Sequence, residues 1–86
     1  MISSAYSITD TAQKVVEAEP LVRTIYLNVV GNTTVFLGGS GVLSTNGCPV
    51  AKNSVPLAVV VPYGEEVYAV CASGNTESLH VLRPND

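Results

Sequence analysis

The sequence predicts an all-β protein, a single small antiparallel β-sandwich or barrel of six to seven strands, and three observations point there. Val, Ile, Leu, Tyr and Thr gather in strand-length runs. Gly, Asn, Pro and Ser fall between those runs at short intervals, where turns need them. No stretch carries a sustained helical stripe: the one competitor, Thr9 to Glu19, has a helix-compatible start at Thr9-Asp10 but is closed by Pro20.

The elements follow in chain order. Residues 1–11 are rich in Ser and Thr without a sustained period and read as a flexible N-terminal arm, leaving 12–86 as the β domain. Ala12 to Ala18 reads as the first strand. Val22 to Val30 and Thr33 to Leu37 are separated only by Gly31-Asn32, which predicts a two-residue hairpin loop with Leu27 facing Phe36 and Tyr26 facing Leu37. Gly38 to Asn53 reads as a long surface connection with room for a short strand at Val42-Leu43.

The last third reads as a three-stranded meander, Val55 to Val61, Glu66 to Ala72 and Glu77 to Arg83. Its turns are Pro62-Tyr63-Gly64-Glu65 and Ser73-Gly74-Asn75-Thr76. Such a meander has one bulky face fit to be a core: Leu57, Val59, Tyr68, Val70, Leu79 and Val81. The reverse face holds Ala58, Val60, Val67, Ala69, Cys71, His80 and Leu82. A solvated sheet face alternates to polar residues, and this one does not.

Composition sharpens that point. Hydrophobic residues make up 47% of the chain and charged residues 13%, against about 25% charged in an ordinary soluble domain. A chain of 86 residues forms one domain and buries about 60 to 65% of the surface its unfolded form exposes. Another layer of the same chain or a neighbouring subunit must therefore cover the second face, and we expect a subunit to cover at least part of it. The candidate interface residues are Ala58, Val60, Val67 and Ala69, with Tyr63 at a turn tip.

Function classes fall away on charge and motif. Net charge is -3, and Lys14, Arg23, Lys52 and Arg83 are scattered, so no basic patch offers counter-charge to a phosphate backbone and no nucleic acid is expected. The apolar runs are strand-length, short of the roughly 20 residues a bilayer span needs, and the first residues carry no basic leader, so we expect no membrane and synthesis in a cytoplasm.

Cys48 and Cys71 are far apart, and neither belongs to a CxxC pair, so no metal is expected. Cys71 within Val67-Tyr68-Ala69-Val70-Cys71-Ala72 reads as a small buried thiol. His80 is the one histidine and lies between Leu79 and Val81 as a structural residue, while Glu65 and Glu66 are adjacent and would point to opposite faces of a strand. Gly38-Gly39-Ser40-Gly41 lacks the Gly-Lys-Ser/Thr ending of a phosphate loop, and Asn32-Thr33-Thr34 reads as a turn. No catalytic residue and no cofactor is expected, and the chain reads as non-enzymatic.

Val35-Phe36-Leu37-Gly38-Gly39, followed by Val42, by Asn46-Gly47-Cys48-Pro49-Val50 and by Val67-Tyr68-Ala69-Val70-Cys71-Ala72-Ser73-Gly74, resembles small β-rich virion proteins of tailed bacteriophages, particularly phages of actinobacteria. The resemblance covers about residues 20 to 83, and Leu43 and Cys48 depart from the aromatic or hydroxyl residues expected there. It implies a structural protein on the capsid exterior that decorates or cements the shell. As a homo-oligomer, a trimer or small ring, it would make many weak contacts with the major capsid protein. A tail or head-tail connector subunit is the alternative within that class. A soluble sugar- or peptide-binding β module is the alternative outside it, and predicts a monomer with a polar second face.

Overall fold

A computed structural model describes residues 1–53 and 55–84 and shows eight strands and no helix among them. In chain order they are β1 (Ile2–Ile8), β2 (Gln13–Val16), β3 (Arg23–Val29), β4 (Val35–Gly38), β5 (Cys48–Val50), β6 (Leu57–Val61), β7 (Val67–Cys71) and β8 (Glu77–Arg83). They form two four-stranded antiparallel sheets, ordered β1-β8-β3-β6 and β2-β7-β4-β5. The sheets pack as a sandwich. The last two residues of the expected 12–86 domain lie outside the described residues.

Alternation builds the core. Arg23, Ile25, Leu27 and Val29 of β3 are buried while Tyr26 between them is exposed, and Glu77, Leu79 and Val81 of β8 are buried while Ser78, His80 and Leu82 are exposed. The opposite sheet supplies Val16, Val35, Leu37, Val50, Ala69 and Cys71. These side chains form one apolar cluster between the sheets, the term that drives folding of a chain this small.

Three expectations are corrected. Residues 2–8 are strand β1, paired with β8 from Ile2↔Arg83 to Ile8↔Glu77. Ile8 closes over the core while Ser3, Ala5 and Ser7 face outward. The Gly31-Asn32 segment is no hairpin. β3 pairs with β6 and β8, β4 pairs with β5 and β7, and Leu27 lies opposite Leu57 and Val81 rather than Phe36.

The cause sits on a distant strand: the Glu77 carboxylate accepts N–H bonds from Gly31 (2.9 Å), Thr33 (2.8 Å) and its neighbour Ser78 (2.7 Å). Those donors, which would otherwise have to be satisfied within a turn, are thereby fixed in an arch from one sheet to the other. Burial pushes the Glu77 carboxyl up, but the N–H bonds from Thr33, Ser78 and Gly31, aided by Lys52, outweigh it and hold the group below the usual range.

The meander is corrected in the same way. β6 and β8 belong to one sheet and β7 to the other. The first expected turn exists, with Glu65 N–H bonded to Pro62 C=O, and the second starts one residue earlier than expected, with Asn75 N–H bonded to Ala72 C=O. Gly64 and Gly74 take φ of 75° and 81° at their third positions, which side-chain-bearing residues rarely adopt. Each turn carries the chain across the sandwich. Ala69 and Cys71 therefore come to rest inside.

Arg23 fastens one end of the sandwich. Its buried guanidinium donates to the carbonyls of Glu17, Leu21 (3.3 Å) and Glu65 (3.1 Å), tying the β2–β3 link to the β6–β7 turn. Arg23→Ala removes a buried guanidinium and its three part-buried bonds to backbone carbonyls and is expected to lower stability by about 2 kcal/mol, read as a shift of the urea midpoint with unchanged slope.

The thiols differ in the same sense. Both cysteines are free, Cys48 exposed and Cys71 buried. Burial first, then the charges of Glu77 and Asp10, push the Cys71 thiol up, and its Sγ lies 3.6 Å from the Ile8 carbonyl. A thiol reagent is expected to label Cys48 at once and Cys71 only on unfolding. Rapid labelling of both in native buffer would contradict this packing.

Candidate functional site

β6 carries an exposed apolar surface at a sheet edge. The run Val55-Pro56-Leu57-Ala58-Val59-Val60-Val61 has no polar residue, so its pattern is that of a strand covered on both faces. The structure places it at a sheet edge, paired on one side only. Its side chains have nowhere further to hide: Val55 is 76% exposed and Val60 64%, and Leu57 and Ala58 are exposed as well.

The register extends this apolar strip across the outer face of the sheet. Ala58 lies opposite Tyr26, and Tyr26 opposite Leu82, all three exposed. Val60 lies beside Thr24 in the next row. Toward β1 the same face turns polar, with Ser3 opposite Leu82 and His80 flanked by Ala5 and Asn28. Tyr63, at the tip of the turn after β6, is 68% exposed and widens the apolar end.

Beneath β6 the sandwich gapes. A groove of ≈ 310 Å³ runs between β6 and the opposite sheet, walled by Leu37, Cys48, Leu57, Val59, Val61 and Val67, with Glu65 and Glu66 beside it. Lys14 pairs with Glu66 at 3.0 Å and Glu17 at 3.4 Å, which raises the Lys14 pKa, chiefly through the Glu66 hydrogen bond. Asp10 accepts the Gly74 N–H at 3.1 Å. Among the described residues no group of three or more His, Cys, Asp or Glu could hold a metal ion, and no helix is long and apolar enough to cross a membrane.

Of the interface candidates, the structure brings Ala58, Val60 and Tyr63 together on the exposed side. Val67 is half-buried and packs against the core. Ala69 is corrected: it is 0% exposed, in the centre of the opposite sheet, because β7 crossed over. Sequence reasoning missed Tyr26 as a surface residue; Leu57 does lie on the core side, opposite Leu27, but is left exposed at the sheet edge. The signal for Tyr26 was its position, out of phase with buried Ile25 and Leu27.

Against known proteins, the chain matches no family model, no curated protein and no solved structure.

Proposed function

We propose that this protein is a non-enzymatic structural subunit of a phage virion. It decorates or cements the capsid exterior by contacts of many copies with the major capsid lattice. The observation that carries the assembly part is the exposed apolar set at the β6 edge, Ala58 and Val60 with Tyr26 and Leu82 on the outer face and Val55 and Tyr63 beyond the strand ends. Single exposed apolar residues are ordinary, whereas a contiguous set marks a contact surface. The capsid part is supported by the resemblance of the Val35–Gly39, Asn46–Val50 and Val67–Gly74 segments.

The mechanism is additive. Each subunit contributes a modest contact, and many copies on a repeating lattice raise the barrier to shell disruption. A sandwich with its core closed inside each copy can be held at one apolar side without unfolding.

The test is a density gradient of virions made by the genome that encodes the chain, followed by imaging at near-residue detail. The protein is expected in the particle band, many copies to each, with Val60 or Tyr63 against another protein. Recovery only at the top of the gradient would overturn the proposal.

A further inference from the structure

The free edge of β6 is built to pair with itself. Asn53 shows which way the backbone groups point: its side chain accepts the Val29 N–H (2.8 Å) and donates to the Leu27 carbonyl (3.0 Å), so odd-numbered residues of β3 turn their polar groups toward β6. The Val30 N–H bonds to the Ser78 carbonyl on the other side, as the alternation requires. It follows from the register Ile25↔Val59 that Val59 is spent on β3. Ala58 and Val60 present their N–H and C=O groups outward.

We propose that two copies of this chain join through antiparallel pairing of their β6 edges about a two-fold axis at Val59, giving a continuous eight-stranded sheet. The inference rests on the assembly reading above and names a partner for that same surface, a two-fold mate rather than a neighbour in a trimer or small ring. The register is set by two prolines. With Ala58 opposite Val60 of the second copy, all four outward groups of each strand find partners, and Pro56 meets Pro62, neither of which has an N–H to lose. Sliding the pair by one step to Ala58 opposite Ala58, or Val60 opposite Val60, leaves the Val60 or the Ala58 carbonyl within the strand facing a proline nitrogen, whereas the favoured register does so only for the two proline carbonyls at the strand ends.

Two of the other edges are defended as β6 is not: β2 carries Lys14 and an irregularity after it, and β5 is three residues long with Pro49 at its centre. β1 has no such device and differs from β6 in showing Ser3, Ala5 and Ser7 outward in place of an apolar strip. β6 has no charge, so a two-fold sets no like charges face to face. Edge pairing covers the flank of one short strand and leaves the Leu82-Tyr26-Ala58 rows exposed, so it buries less than the roughly 800 Å² per partner of a standard interface. The self-contact is therefore reversible and dependent on concentration. Pairing would also join the Leu82-Tyr26-Ala58 rows of two copies into one patch for the lattice.

Sedimentation and directed cross-linking test this on the full chain. The wild type is expected to move from one to two times its 9.0 kDa mass across the micromolar range, and Val60→Lys to abolish the shift. In a Cys48→Ser background, Val59→Cys is expected to form a covalent dimer under copper-phenanthroline, since facing non-hydrogen-bonded residues lie about 4.5 Å apart. Val60→Cys, offset from its mate, is expected to form far less. A monomer at all concentrations, or a dimer in which Val60→Cys links as well as Val59→Cys, overturns the inference. A monomer that still binds capsids would leave the virion reading standing, and a dimer that ignores capsids would sink that reading alone.

Discussion

Ala69→Asp is expected to abolish folding, while Val60→Asp leaves the monomer intact. Ala69 is fully enclosed between the sheets and Val60 stands mostly in solvent. An aspartate at 69 places a carboxylate among Leu37, Cys71 and their neighbours in the apolar core. A buried unpaired charge costs about 4–5 kcal/mol or more, and a chain of this length has on the order of 4–13 kcal/mol to lose. Val60→Asp removes a methyl-rich side chain from water and adds charge to an edge, a change within about 0.5 kcal/mol for the monomer. Far-UV circular dichroism with urea titration separates the two. A wild-type midpoint for Ala69→Asp would show that β7 does not cross to the second sheet.

Glu77→Ala is expected to cost about 2–4 kcal/mol, because the N–H groups of Gly31, Thr33 and Ser78 lose a charged acceptor together. The residue as a whole is 9% exposed, which limits how well water can replace the lost carboxylate. The same arrangement makes the fold acid-sensitive. Since the folded pKa of Glu77 is held below its unfolded value near 4.5, the unfolded chain binds the proton first as pH falls. The stabilisation is thus fully present above about pH 4.5 and disappears as pH drops through the folded pKa. Glu77→Gln, which does not titrate, is expected to flatten the fall in melting temperature between pH 5 and 3 relative to wild type. Equal pH slopes for the two proteins would contradict this role for Glu77.

The strands were legible and the sheets were not, for a physical reason. β3, β7 and β8 follow from period-two alternation or apolar runs, and the Gly64 and Gly74 turns follow from residue type alone. A turn that closes a hairpin and one that arches between sheets use the same Gly, Pro and Asn residues. The residue that decides between them at Gly31 is Glu77, 46 positions away in sequence. β1 was read as an arm because its serines masked the inward series Ile2, Ser4, Tyr6 and Ile8. β5 was obscured by Pro49.

The exposed apolar surface was half legible. A low share of charge and two apolar faces implied excess apolar area, and Ala58, Val60 and Tyr63 were placed on it. The sandwich itself absorbs the other half, at Ala69 and Cys71. What remains open is concentrated at one edge strand, and only the sheet order shows that β6 is that edge.

Amide hydrogen exchange at β6, compared between dilute protein and its assembled state, tests the central claim most directly. The Ala58 and Val60 amides are expected to exchange fast in the dilute monomer and slowly once assembled, with Val59, already bonded to β3, slow in both. Unchanged fast exchange at Ala58 and Val60 in an assembly that protects other surface amides would contradict the claim that this edge is where the molecule is held.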